Sequence, residues 1–188
     1  MVRLFIAINL PASVRRAMRD ATISMREAAP RLSWVTEERL HLTLEFLGDQ
    51  PGGALPALQA ALTGAVAGHA RATLVLRGLG AFPNLRAPRI VWMGVEPDPK
   101  LELLQHDLAR ACQELGYERE ARAFRPHITL GRARTPLRAE EARALRAAAR
   151  AVDWSATVEA TSVDIMESRL LAGGAKYRTV AALPLRGG

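Results

Sequence analysis

His41-Leu42-Thr43-Leu44 and His127-Ile128-Thr129-Leu130 are one four-residue pattern written twice in a chain of 188 residues, the second copy 86 positions after the first. Both lie in apolar, strand-like settings, LHLTLEFLG (40–48) and PHITLGR (126–132). Side chains of a strand alternate between its faces. His and Thr of each copy therefore share one face, and Leu42, Leu44, Ile128 and Leu130 share the other. Such a strand is anchored by its apolar side and presents a polar pair. Two of them side by side bring two imidazoles and two hydroxyls to one spot. A single strand histidine is usually a core or rim residue with a satisfied hydrogen bond. Here two of only four histidines carry the pattern, a coincidence of about one in ten thousand by template counting.

Outward from the motifs, strands alternate with helices. Residues 2–9 read as a buried strand, 12–29 as a helix stopped by Pro30, and 31–36 as an extended entry to the first motif strand, 39–47. A turn at 48–53, a helix at 54–68 and a strand at 71–79 follow. The Gly- and Pro-rich loop GLGAFPNLRAPR (78–89) marks the mid-chain boundary. Beyond it come a strand at 89–95, a helix at 98–116, the second motif strand at 124–133, a helix at 137–150, a strand at 155–167 and a closing strand at 176–185. Each half runs strand, helix, motif strand, helix, strand, the mark of an internal duplication. Alternation also suits a parallel Rossmann-like sheet, but LPASVRR after the first strand lacks the Gly-rich phosphate fingerprint. The expectation is an α+β fold: two mostly antiparallel sheets with outer helices and a central groove.

Length and a 49% apolar composition suffice for one domain or two intimately packed halves. No apolar run nears the ~20 residues that span a bilayer. The apolar run after Met1-Val2-Arg3 is short, contains Asn9 and ends at Pro11, so it reads as a first strand and not a signal peptide. The expected compartment is the cytoplasm. The single cysteine, Cys112, excludes an internal disulfide and sits in a helical pattern as filler. Net charge is +7, and all basic residues except Lys100 and Lys176 are Arg. GC-rich coding bias accounts for most of that Arg excess, yet the positive balance favours an anionic partner such as RNA. The even spread of apolar residues carries no dimer signal, so a monomer is expected.

Two histidines across a groove suit general acid–base catalysis, one neutral and one protonated near pH 6.5. Threonine hydroxyls can hold the non-bridging oxygens of an anion. In-line displacement at phosphorus needs this set and no metal, and a cyclic phosphate is an apt substrate. A metal would want a third ligand. His69 and His106 lack a motif context, and Glu45, on the face of His41 and Thr43, is answered by Gly131 in the second copy. Arg125 lies two positions before His127, held extended by Pro126, on the same face if the strand is regular. It could clamp phosphate, its ordinary role being a rim Arg; Arg39 has the same offset from His41. Trp34, Phe46, Phe124 and Tyr177 could stack on a base, core packing being the default for each.

The paired motifs resemble those of the two-histidine phosphoesterase superfamily. The closer likeness is to the bacterial and archaeal RNA 2′,3′-cyclic phosphodiesterases, formerly called 2′-5′ RNA ligases. It extends through RLFIAINLP, LHLTLEFLG, GLGAFPN with PRIVWMGV, FRPHITLGR and MESRLLAGGAKY, nearly the whole chain. The resemblance implies one bilobal domain over 1–188 with pseudo-twofold symmetry. Its lobes would come approximately from 1–80 and 89–188, with room for strand exchange between them. It also implies hydrolysis of an RNA terminal 2′,3′-cyclic phosphate to a 2′-phosphate. On this chain His41 would be the proton donor to the departing 3′ oxygen and His127 the base that activates water. Thr43 and Thr129 would hold the phosphate and Arg125 would assist, with no metal and no cofactor. The implied partner is RNA ending in a 2′,3′-cyclic phosphate, tRNA fragments included, or a cyclic nucleotide. Two alternatives stay open: 2′-5′ joining of tRNA half-molecules as the main reaction, and a non-catalytic RNA-end binding module.

Overall fold

The computed structural model describes residues 1–118, 120–171 and 174–187. Ala172 and Gly173, within the 166–177 stretch quoted above, lie outside the described residues. The elements in order are β1 (Val2–Asn9), α1 (Ala12–Ala21), α2 (Ile23–Ala28), β2 (Ser33–Trp34), β3 (His41–Gln50), α3 (Leu55–Val66), β4 (Ala72–Phe82), β5 (Ile90–Val95), α4 (Pro99–Glu114), β6 (His127–Arg132), α5 (Ala139–Ala151), β7 (Ser155–Ala160), β8 (Ser162–Leu171) and β9 (Gly174–Pro184).

The strands lie in the order β7-β4-β5-β6-β3-β1-β8-β9, with β2 paired to β6. The motif strands β3 and β6 are central, and three strands extend outward from each. This order is that of a pseudo-twofold duplicated α+β fold. β3 and β6 touch through one ladder pair, Leu42 with Ile128, so the two expected sheets join there into one hydrogen-bonded surface. β4, from the first half of the chain, pairs with β5 and β7. β8, from the second half, pairs with β1 and β9.

Two expected elements are divided. The helix of 12–29 breaks at Thr22, whose Oγ1 donates to the carbonyls of Met18 (2.9 Å) and Arg19 (3.2 Å) and competes with the helix ladder. The strand of 155–167 is two strands, because the chain crosses at Thr161 from the β4 edge to the β1 edge.

Alternation along β1 sorts the core. Ile6 and Ile8 join Leu42, Leu44, Ile128 and Leu130 beneath Leu58 and Leu62 of α3 and Leu101, Leu104 and Leu108 of α4. A second cluster sets Met25 of α2 and Leu145 of α5 on Ala81 and Val91. Full burial of each such side chain stabilises by about 1.5–3 kcal/mol. Phe5, Ala7 and Met166 form a separate cluster with Tyr177 on the other face of β1. Helices thus cover one face of the sheet, and the motif side chains lie on the other. Cys112 is buried in the first cluster, and burial pushes its thiol up to about 12, so it serves as filler. Among the described residues no helix is long and apolar enough to cross a membrane.

Candidate functional site

The antiparallel pairing of Leu42 with Ile128 sets the register of the site. One step to either side, His41 lies across from Thr129 and Thr43 across from His127. Opposite Cβ atoms in such a pair are about 5 Å apart and diagonal ones about 7–8 Å. The four side chains therefore form a rectangle with the imidazoles on a diagonal, each opposite the threonine of the other copy. All four are half-buried, while Leu42, Leu44, Ile128 and Leu130 are buried on the helix side.

Each motif carries a bulge at the same place. Against β1, Thr43 meets Ala7 and Glu45 meets Ile6, so Leu44 is the extra residue. Against β5, Thr129 meets Trp92 and Gly131 meets Val91, so Leu130 is the extra residue. A bulge reverses the alternation beyond it. Glu45, expected on the face of His41 and Thr43, is turned to the helix side, where its carboxylate accepts a hydrogen bond from Gln105 Nε2 of α4 (3.1 Å). Gly131 stands at the matching position because a Cβ there would meet the Trp34 ring at 3.0 Å. The next residues, Phe46 and Arg132, are brought to the motif face. Arg132 is exposed, and its positive charge bears on both imidazoles. Regular alternation hides Arg132 on the outer face; the glycine before it is the one local sign of a bulge.

The two histidines are held alike. Nδ1 of His41 lies 2.7 Å from the Arg39 carbonyl, and Nδ1 of His127 lies 2.6 Å from the Arg125 carbonyl. A carbonyl can only accept, so each Nδ1 carries the hydrogen and each Nε2 is left for chemistry. Arg39 closes a 3₁₀ turn, Glu37–Arg39, and β6 begins at His127. Neither arginine therefore lies on its motif strand, and the face-sharing argument for Arg125 does not hold: what each supplies to its histidine is a main-chain oxygen. The Arg125 side chain is exposed and lines a cavity of about 390 Å³ with Arg77, Trp92, Gly94 and Phe124. The Arg39 guanidinium lies 4.8 Å over the Tyr177 ring and donates to its hydroxyl at 3.3 Å.

Aromatic rings flank both imidazoles. His41 lies 5.0 Å from Phe5 and 5.4 Å from Tyr177 between ring centroids. His127 lies 5.1 Å from Phe82 and 6.4 Å from Trp92. Trp92 lies across Gly80, where a Cβ would strike the indole. Burial among these groups pushes His41 down to about 4. The Arg39 carbonyl opposes that shift, and the charges of Arg39 and Arg132 add to it. Burial likewise lowers His127, against the Arg125 carbonyl and with Arg132. A bound anion would reverse both shifts. Trp34 is structural: its Nε1 donates to the Ala29 carbonyl (2.9 Å) and its ring packs on Gly131. His69 is taken up by Asp107 of α4 at 2.9 Å. Among the described residues no group of three or more His, Cys, Asp or Glu is placed to hold a metal ion.

This fold and sequence have known relatives. The chain belongs to the 2′-5′ RNA ligase superfamily, whose family model matches residues 10–169. A Geobacillus stearothermophilus protein named RNA 2′,3′-cyclic phosphodiesterase is 36% identical over 186 residues, which are 97% of this chain and 57% of that protein. The chain thus spans a little over half of that relative. A Thermus thermophilus protein of known crystal structure superposes with a TM-score of 0.81, at 29% identity over 98% of both chains. Escherichia coli LigT, crystallised with 3′-AMP, superposes with a TM-score of 0.73, at 29% identity over 98% of each.

Proposed function

We propose that this chain hydrolyses the 2′,3′-cyclic phosphate of an RNA end to a 2′-phosphate, by acid–base catalysis between His41 and His127 without a metal or other cofactor. One observation carries the reading: two imidazoles, each with Nδ1 committed to a carbonyl two residues back, stand across the ladder from each other's threonine. The name of the Geobacillus relative and the 3′-AMP of the LigT crystal support it.

In this reading water attacks phosphorus in line with the bond to O3′. His127 Nε2 takes the proton of the water as the P–O bond forms. The bond from phosphorus to O3′ breaks, and His41 gives its Nε2 proton to O3′. The bond to O2′ is kept, so the product is a 2′-phosphate with a free 3′-hydroxyl. Exchange with solvent then returns a proton to His41 and removes one from His127. Thr43 and Thr129 donate to the non-bridging oxygens, Arg132 sets a positive charge beside them, and Arg125 assists from the rim. The arriving anion is what restores a proton to His41. The working unit is a single domain over 1–188, its lobes taken approximately from 1–80 and 89–188 with β4, β8 and β9 exchanged.

The test is a product analysis. An oligoribonucleotide ending in a 2′,3′-cyclic phosphate is incubated with the protein and EDTA, and 2′- is resolved from 3′-phosphate by phosphorus NMR. A 2′-phosphate made by the wild type alone, and not by His41→Ala or His127→Ala, upholds the proposal. A 3′-phosphate would reverse the donor assignment, and tight binding with no product would leave a binding module. A second reading, 2′-5′ ligation, is favoured by the cavity of about 390 Å³ beside Trp92 and Arg125. It lies on the side from which the nucleophile enters and has room for a nucleoside whose 5′-hydroxyl replaces water. Adding a 5′-hydroxyl oligonucleotide to the same reaction measures that partition.

A further inference from the structure

The groove has two unlike ends. The motif strands touch only at Leu42–Ile128, so each runs on past the other. At the His41 end β6 continues to Arg132, and β2 takes its free edge, pairing Ser33 with Arg132 and Trp34 with Gly131. Arginines gather there. Arg132 lies on the motif face, and Arg134 is two residues further on, about 7 Å along an extended chain. Arg31, just ahead of β2, donates to the hydroxyl of Thr135, the neighbour of Arg134, at 3.5 Å. The β4–β5 loop reaches the same end, where the Arg89 carbonyl accepts from the Ala133 N–H at 2.9 Å, and it adds Arg86. All five arginines are exposed.

An Arg-rich chain scatters arginine over its surface, so what marks this end is the exclusion of acid. No Asp or Glu occurs in residues 28–36, 82–90 or 127–139, which build it. Elsewhere Arg71, Arg77, Arg110 and Arg169 each face a carboxylate at 2.8–3.7 Å. Here, among the described residues, Glu141 alone answers the five, 3.6 Å from Arg31. The opposite end is mixed: Glu96 and Glu102 line the cavity beside Arg125, and Glu118 and Glu120 line the one beyond Thr43. Cations held together without compensation repel one another. A run of them along one rim is the footprint of a polyanion.

The reaction sets the direction of that polyanion. In the hydrolase reading water enters from His127, and O3′ leaves toward His41 at the opposite corner of the rectangle. The ribose is bonded to O3′, so the RNA continues past the His41 corner, and the rim beyond that corner is the arginine one. Resting on that reading, we propose that this rim, with Arg134, Arg31 and Arg86 outside the catalytic set, docks the phosphate backbone of the RNA upstream of its cyclic end. Phosphate contacts carry no sequence information. The rim therefore favours polymer ends over free cyclic nucleotides whatever the bases. Each phosphate it neutralises steepens the fall of log affinity with log salt by about 0.7 for a single strand.

The experiment measures, across a salt series, binding of an oligoribonucleotide ending in a 2′-phosphate, with the 2′-mononucleotide alongside. It uses the wild type, the double variant Arg86→Gln/Arg134→Gln, and a charge-matched control, Arg143→Gln/Arg150→Gln. The control removes two exposed arginines of α5, which covers the helix side of the sheet. Arg86→Gln/Arg134→Gln should lower the oligonucleotide's salt slope by about 1.4, the sum for two contacts, and leave the mononucleotide's affinity unchanged. The control should keep the wild-type slope. A wild-type slope no steeper for the oligonucleotide than for the mononucleotide, an unchanged slope in Arg86→Gln/Arg134→Gln, or an equal drop in the control would overturn the proposal. Turnover of a cyclic-ended oligonucleotide and of a cyclic mononucleotide is followed in parallel. If the wild type turned over neither, the hydrolase reading would fall by itself. The binding series would still judge the rim: a slope that depends on Arg86 and Arg134 upholds it, and one that does not overturns it.

Discussion

Acidification of the free protein is the sharpest probe of the site. His41 is held down to about 4 by burial between Phe5 and Tyr177 and by the charges of Arg39 and Arg132, against an ordinary 6.5. One unit corresponds to about 1.36 kcal/mol, so protonating His41 in the free protein is disfavoured by about 3 kcal/mol relative to water. At pH 7 about one molecule in a thousand carries that proton. His127 is also lowered from 6.5. Because kcat/KM reports the ionisations of the free enzyme and both imidazoles are lowered, its maximum is expected below 6.5. It should fall tenfold per pH unit on the alkaline side. The kcat profile reports the complex, where the substrate anion raises both imidazoles, and it should peak at higher pH. Stability moves with the same group. The folded value lies below the unfolded one, so the contribution of His41 is complete above 6.5, declines as pH falls towards about 4 and levels below it. His41→Gln should flatten that slope in denaturant titrations. Nitrogen-15 NMR of the imidazoles, with and without inorganic phosphate, reads the values directly. His41 titrating at or above 6.5 in the free protein, or a kcat/KM maximum above pH 7, would refute the reasoning.

Other outcomes follow from the same geometry. His41→Ala and His127→Ala should each lower turnover by about 10² to 10⁴. The double variant should be little worse than the poorer single one, and EDTA should leave the wild type unchanged. Arg132→Gln should raise KM for the anionic substrate, and it should raise both imidazole pKa values by removing a positive charge that bears on each. Gly80→Ala must push Trp92 aside. It should cost about 1–3 kcal/mol of stability in thermal unfolding and lower kcat more than it raises KM, through the neighbouring His127.

The period of two was legible because it is local. It set His41, Thr43, His127 and Thr129 on one face and Leu42, Leu44, Ile128 and Leu130 on the other, and the ladders place them so. The same rule failed three residues past each histidine. The extra residues Leu44 and Leu130 move Glu45 away from the site and bring Phe46 and Arg132 to it. A bulge is a relation between two strands, and one strand's sequence does not contain its partner. The division of 155–167 escaped for a related reason. Ser155–Ala160 and Ser162–Leu171 are one β-forming run until their partners, β4 and β1, pull them to opposite parts of the sheet.

Backbone stereochemistry and side-chain chemistry, both properties of neighbours in the chain, were enough to identify two matched polar-faced strands and their helical covers, and the resemblance of the paired motifs to known sequences pointed to the family. Tertiary structure decided that Leu42 pairs with Ile128, that each histidine stands opposite the other copy's threonine, and that both Nδ1 atoms are taken by carbonyls. It also decided which cations and rings surround the imidazoles. Those outcomes depend on contacts between positions far apart in sequence, whose energies exist only once the helix-side core has drawn the two halves together.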